Sequence, residues 1–363
     1  MSNASAVSFE TLSLIGAFIT GLLAVVGTST VARSVLSARR DNRLADVRPQ
    51  VRQALLSRME ATDPEWEAWV GGLSGTERRV AEDLLEEYLH RIRGGDRESL
   101  QQLGYALGIG EKARRKLHEG DHLERRRALH WIARLDIDVT IETLEATCGG
   151  HPETRAAAAR VLYEQDRANA TEEGTELLLR GTGPLSVLGM DTLYQLNKLS
   201  PDLLFTRTKE SYHEWSESRL IQVLRVIGTA GPASPDTPLD WIGFLFVSES
   251  PNVRVAAANA LVGYGWHDGV RSAIEIEQVR TDDSPPVRQA VYQMLGSWDD
   301  EASVNALRNA LRSESNTRAA IDAISALGER ATSIPESELT PASSAARDWV
   351  LASTEPTRSE TEQ

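Results

Sequence analysis

The sequence is short of the residues that most enzyme chemistry needs. It has one cysteine, Cys148, so neither an intramolecular disulfide nor a paired-cysteine metal site can form, which fits a reducing compartment. Cys148 sits in an apolar helical pattern ahead of Gly149-Gly150, the setting of a small buried hydrophobe rather than a nucleophile. Lysine is almost missing: Lys112, Lys116, Lys198 and Lys209 are the whole set, and every other basic residue is arginine. There is no Gly-Lys-Ser/Thr phosphate loop and no Gly-x-Ser-x-Gly turn. Gly108-Ile109-Gly110 has no strand before it, which removes a dinucleotide-loop reading. Alternating strand patterns of useful length are missing too. Basic residues never gather into a stripe over the central region, and the net charge is −14, so generic nucleic-acid binding is excluded.

What is present begins with an apolar run. From Leu12 to Ala32 there are 21 residues without a charge. As a helix at ~1.5 Å per residue this run matches the hydrocarbon core of a bilayer. A secretory signal would need a positive leader, yet residues 1–11 contain no Lys or Arg. Seven Arg and two Asp follow the run over residues 33–58, which places that end, and all that follows, on the cytoplasmic side of a cell membrane. The expectation is a single-pass transmembrane helix over 12–32. Its small residues Ala17, Gly21, Ala24 and Thr28, with Ser13, share one helical face, where a second helix could pack and mediate self-association; ordinary membrane-helix composition is the competing account. Dense acid with Arg in place of Lys fits a salt-loving cytoplasm, and a GC-rich genome produces the same exchange.

The strongest signal is self-similarity. PNVRVAAANALVGYG (251–265) and PPVRQAVYQMLGSW (285–298) share Pro-x-Val-Arg followed by small or apolar residues at one helical spacing. Copies of that template are anchored at positions 97, 125, 155, 186, 217, 254, 288 and 317. Apolar residues at +3, +6, +7 and +10 from each anchor form a single stripe. Shorter amphipathic stretches lie between them: 139–148, 173–181, 201–210, 238–247 and 301–312. Each unit therefore reads as a helix pair joined by turns such as GGHPE and DDSPP. Ahead of the repeats, TERRVAEDLLEEYLHRIRGG predicts a helix with Thr76 as N-cap and Gly94 past its end, burying Val80, Leu84, Leu85, Tyr88, Leu89 and Ile92.

The x-Val-Arg-x-Ala-x-x-x-x-Leu signature at 253–261 and 287–295 resembles HEAT repeats of the short prokaryotic type, over roughly 95–330. The fold this implies is all-α, a HEAT-type α-solenoid behind an N-terminal transmembrane helix. In detail, 1–11 lies outside the cell and 12–32 spans the membrane. An Arg-rich juxtamembrane segment (33–60) leads to a helical cap (61–94), and 331–352 closes the array before a polar, disordered tail (353–363). The resemblance also implies that the Arg-bearing helices line the concave side, and that Arg254 and Arg288 bond Glu249 and Asp283 in the turns before them. The order of span, RLADVRPQVRQALL, LLEEYLHRIRG and repeats is similar to membrane-anchored HEAT-repeat proteins encoded beside family-2 glycosyltransferases in prokaryotic exopolysaccharide loci.

Candidate chemistry is thin. His118-Glu119-Gly120-Asp121-His122 with Glu142 has the composition of a zinc-peptidase site, which needs both His on one face of an unbroken helix; Gly120-Asp121 predicts a break and a turn instead. Asp136-Ile137-Asp138 falls at an inter-helix turn, where Asp is expected as an N-cap. His130 falls in a repeat stripe, as a packing residue. Trp residues recur about once per repeat and read as packing, with Trp266 and Trp298 placed to reach a groove edge. No catalytic, cofactor-binding or metal-ligating residue is assigned, and no cofactor. The functional expectation is a non-enzymatic scaffold or regulatory subunit that binds a membrane-associated protein, with a polysaccharide-synthesising glycosyltransferase implied by the resemblance. The alternatives are a membrane zinc peptidase using residues 118–122 or a HEAT-type lyase. Partner-binding residues are expected off the apolar stripe of the helices from 217 to 328: Arg225, Asn259, Gln289, Gln293 and Asp322. The overall acid excess predicts a basic partner segment.

Overall fold

A computed structural model describes residues 46–165, 169–229 and 239–354. The expected membrane span at 12–32, with Ala17, Gly21, Ala24 and Thr28, lies outside the described residues, as does the tail from 355. Among the described residues every regular element is an α- or 3-10 helix, and no helix is long and apolar enough to cross a membrane. They form two compact units. One runs to Lys112 and includes Arg134–Asp136; the other holds Ala113–Ala133 and everything from Ile137 onward.

The first unit contains α1 (46–59), α2 (Trp66–Gly72), α3 (Gly75–Arg91) and α4 (Gly95–Ala106). Helix α3 buries Val80, Leu84, Leu85, Tyr88 and Leu89 as the periodicity requires. Its N-cap is Ser74, not Thr76. Ser74 Oγ accepts the Glu77 N–H at 3.3 Å while the Glu77 carboxylate accepts the Ser74 N–H at 2.7 Å. Only Ser74 has a glutamate three residues on, so only Ser74 can close this reciprocal cap; from Thr76 the same step reaches Arg79. Arg48 pairs with Glu87 at 2.7 Å, tying α1 to α3, and the Trp66 indole donates to Ser99 Oγ at 3.3 Å, tying α2 to α4.

The second unit is a stack of helix pairs. After α5 (Ile109–Glu119), its second helices are α6 (His122–Arg134), α8 (Pro152–Gln165), α10 (Val187–Leu199), α12 (Glu217–Thr229), α14 (Pro251–Val262), α17 (Pro285–Trp298) and α19 (Thr317–Leu327). Each lies over one of the anchors read from the sequence. The first helices α7 (Ile141–Cys148), α9 (Ala170–Leu179), α11 (Pro201–Ser211), α13 (Asp240–Gly243) and α18 (Glu301–Leu311) also fall where shorter amphipathic stretches were noted. The sequence pattern misses α15 (Asp268–Ala273) and α16 (Ile276–Arg280). Each spans fewer than two helical turns, too few to repeat an apolar spacing, and only Val270, Ile276 and Val279 of their residues are buried. Helix α20 (Pro341–Thr354) follows two 3-10 turns.

Neighbouring second helices α12, α14, α17, α19 and α20 pack side by side as one layer. Small residues set their separation. Ala257, Ala258 and Ala260 of α14 and Ala319, Ala320 and Ala323 of α19 are buried. A Cβ on Gly228 would stand 2.9 Å from the Ala260 Cα, and one on Gly296 would stand 2.6 Å from the Ala326 Cβ, so these contacts require glycine.

Several arginines share one task in the second unit. A helix leaves its last carbonyls without intrahelical donors. Arg125 reaches back to the Leu117 and His118 carbonyls at the end of α5, and Arg155 to Gly149 after α7. Arg254 takes Ser248 and Glu249, and Arg288 takes Asp282 and Asp283. Each stands in the first turn or so of its own helix, so one side chain caps the preceding element and fixes the turn between them. The expected carboxylate partners are not the ones used. Arg254 pairs bidentately with Asp282 at 2.7 and 3.0 Å, and Arg288 with Glu314 at 2.8 Å through both nitrogens. Glu249 and Asp283 offer their backbone carbonyls instead. One edge of each guanidinium is taken up by the turn behind it, leaving the other edge for an acid of the following repeat.

Candidate functional site

Register places the candidate residues. The helices α12, α14 and α17 begin after Ser216, Ser250 and Ser284, whose carbonyls accept the N–H groups of Leu220, Arg254 and Arg288. Counting the same distance from each serine reaches Arg225, Asn259 and Gln293, so equivalent positions on stacked helices carry exposed polar side chains. The row continues backward through Gln195 and Arg160. Arg160 is engaged with Asp191 and Glu164, each at 2.9 Å. His130, expected as a packing residue, is exposed in this row, with its ring edge-on to Trp131.

The five expected residues form two groups. Gln293 donates Nε2–H to Asp322 Oδ1 at 2.9 Å, joining α17 to α19, and Gln289 lies one turn earlier on α17, half-buried. Arg225 and Asn259 line a groove of about 410 Å³ between α12 and α14. Its floor is apolar: Ile221 and Leu224 from α12, and Val255, Ala256 and Ala260 from α14. Asn252 sits at its other end, where its amide and the Ser250 hydroxyl donate to the Glu217 carboxylate at 3.4 and 2.6 Å. The Arg225 guanidinium meets no carboxylate among the described residues. Sequence reasoning missed Asn252 and the floor residues Ile221 and Val255. Their signal was register: both apolar residues stand five positions after the helix-starting serine, off the buried stripe, where a solvated face normally carries a polar side chain. A larger hollow, about 590 Å³, lies on one face of α1 and is lined among the described residues by that helix and by Glu60 just after it, including Arg48, Arg52, Gln53 and Leu56.

The peptidase-like motif is split. His118 is in the last turn of α5 and His122 opens α6, with Gly120 and Asp121 between the helices. Asp121 Oδ1 accepts the Glu124 N–H at 2.8 Å and Glu124 returns to the Asp121 N–H at 3.3 Å, a reciprocal cap that starts α6. That Glu124 N–H bond leads the influences that hold the Asp121 carboxyl below the usual range. Gly120 cannot carry a side chain, because a Cβ would lie 2.5 Å from the Lys116 carbonyl. His122 stacks on His151, ring centroids 4.8 Å apart. The two histidines therefore do not share the face of one helix, as the motif's chemistry demands. No group of three His, Cys, Asp or Glu able to hold a metal lies among the described residues.

The remaining candidates have structural roles. Asp136 is not an N-cap. It adopts φ 53° directly after α6, and the Ile137 N–H bonds the Ile132 carbonyl at 2.9 Å, so Asp136 occupies the left-handed position that ends a helix. The N-cap of α7 is Thr140. Cys148 is fully buried, and burial pushes its thiol upward. Trp298 is buried; Trp266 is exposed, edge-on to Trp298, with its indole N–H donated to Asp268 at 2.9 Å.

Comparison with known proteins adds one match. Residues 272–352 fit the family model described as HEAT repeats. No curated protein and no solved structure matches the chain. Residues 272–352, from within α15 into α20, are thus similar to HEAT repeats, and every regular element among the described residues is helical.

Proposed function

We propose that this protein is a scaffold or regulatory subunit that holds a partner protein on the face of its second helices, from α12 to α19. The observation that carries the proposal is the groove between α12 and α14, where Arg225 and Asn259 stand exposed over an apolar floor. Stacked helix pairs offer long surfaces of this kind, and polar side chains at equivalent register suit hydrogen-bonded recognition of protein. Gln289, Gln293 and Asp322 extend the same face by two helices. We place the repeats at the cytoplasmic side of a cell membrane, tethered by residues 12–32, where the Arg-rich segment favours that orientation. Tethering raises the local concentration of a membrane-bound partner without any new contact. The resemblance in segment order suggests a polysaccharide-synthesising glycosyltransferase as that partner, and Ala17, Gly21, Ala24 and Thr28 as a packing face within the membrane.

The test is affinity purification of the full chain in mild detergent, comparing Arg225→Glu with Asn259→Arg and with a control on the opposite helices. Asn305→Glu on α18 serves as that control, because Asn305 is exposed. Arg308 does not serve, since it is half-buried and donates toward Ser333. The expected result is loss of co-purifying protein with the groove variants alone. Equal recovery from all three, with circular dichroism unchanged, removes this face from the function. Release of the chain from the membrane fraction is expected when 12–32 is deleted; retention would remove the tether.

A further inference from the structure

The chemistry of the groove between α12 and α14 narrows what it takes. Its lining contains one ionised side chain, Arg225, at the end near the C-terminus of α12. At the opposite end the Glu217 carboxylate is engaged by the Ser250 hydroxyl and the Asn252 amide. Glu217 and Arg225 are separated along α12 by about 12 Å at ~1.5 Å per residue, so the two ends of the groove carry opposite charge. Between them the floor is apolar, formed by Ile221, Val255 and Ala256. Asn259 lines the same end of the groove as Arg225, and its side-chain amide offers an NH2 donor and a carbonyl acceptor to a peptide backbone.

We infer that this groove binds an extended acidic segment of a partner protein, with a carboxylate on Arg225, a backbone amide on Asn259 and an apolar side chain on the floor. The inference rests on the proposal that the second-helix face is the docking face, and specifies its ligand. It runs against the net charge of −14, which alone would attract a basic segment. The local argument prevails because contact specificity is set by groups within a few ångströms, whereas distant surface charges are screened beyond about 8–10 Å at ordinary ionic strength. A basic segment laid along this groove would bring a cation against Arg225, and like charges in contact oppose binding.

The experiment selects random octapeptides displayed on phage against the full-length chain in mild detergent, then measures selected peptides by fluorescence polarisation. Enrichment of Asp and Glu over Lys and Arg is expected. Affinity of the selected acidic peptides should fall about tenfold or more in Arg225→Glu and by less in Arg225→Gln, and should weaken with added salt. Enrichment of Lys and Arg, or no charge preference, overturns the inference; the docking face still stands if Ala256→Arg, which fills the floor, abolishes that binding. Selected peptides that bind Ala256→Arg and wild type equally overturn the docking face itself. Circular dichroism of each variant confirms that the stack is intact, and Asn259→Ala provides a second, smaller perturbation of the same site.

Discussion

The repeats from α14 to α20 and those from α8 to α12 solve one problem in two ways. Both use an arginine to cap the carbonyls at the end of a preceding helix. In the later repeats the same guanidinium also meets an acid of the next repeat, as Arg254 meets Asp282 and Arg288 meets Glu314. Glu314 is almost completely buried and also accepts from the Tyr292 hydroxyl at 2.9 Å and the Asn316 N–H at 2.8 Å. In the earlier repeats the arginine ends on backbone. Arg219 has no solvent exposure and gives its terminal nitrogens to the carbonyls of Leu178, Arg180 and Gly183. Its Nε finds no partner, and burial, followed by the neighbouring charge of Arg155, pushes its pKa down to about 10. A carboxylate compensates a buried cation; carbonyls share it out and leave part of the desolvation unpaid. In the later repeats the capping arginine itself carries an ion pair to the next repeat, whereas in the earlier ones it meets only backbone and the inter-repeat ion pairs, such as Arg160 with Asp191, lie at more exposed positions.

That contrast can be broken most severely at Glu314. Replacing it with Ala strands Arg288 and Tyr292 in the interior, and removal of one member of a buried pair costs about 3–5 kcal/mol. Urea denaturation should show that loss, with hydrogen exchange rising over α17 to α20. A loss below about 1 kcal/mol would mean the pair contributes no coupling.

Arg219→Met sharpens the comparison from the other side. It removes three carbonyl caps but also a desolvated charge, and the methionine keeps much of the packing. The expected loss is smaller, about 1–3 kcal/mol, since unsatisfied buried carbonyls dominate it. A cost equal to that of Glu314→Ala would show that carbonyl and carboxylate closure are equivalent.

Acid provides the mildest test. Burial alone would raise the Glu314 carboxyl, but Arg288, the Asn316 N–H and the Tyr292 hydroxyl outweigh it and hold the group below its ordinary value. A carboxyl with a depressed folded pKa contributes stability that is complete above its unfolded pKa and is lost as pH falls through the folded one. Stepwise acidification below the ordinary carboxylate range should therefore expose α17 to α20 to hydrogen exchange. Glu314→Gln should remove that pH dependence and leave exchange over α8 to α12 unchanged; the same acid response in wild type and variant would assign it to other carboxylates.

How far the sequence reached is clearest at single residues. The Pro-x-Val-Arg template located α14 and α17, and the stripe behind each anchor located the other second helices, because a helical period is a local property. The break at Gly120-Asp121 was legible for the same reason. The sequence pattern points to Thr76 where Ser74 is the cap, since both precede the same apolar stripe and only the matching Glu77 separates them. At the docking face, register was enough to single out Arg225 and Asn259 but not to show that they share a groove.

By itself the sequence determined the second helices, the longer of the first helices and the places of Arg254 and Arg288 at the start of theirs, since all depend on spacings of a few residues along one chain. Only the tertiary structure decided which acid meets which arginine. Asp282 and Glu314 lie 28 and 26 residues beyond their partners, and the nearer Glu249 and Asp283 lose that role. The turn claims one edge of each guanidinium for carbonyls that have no other donor, so the free edge can meet only what the stacking of the next repeat brings to it.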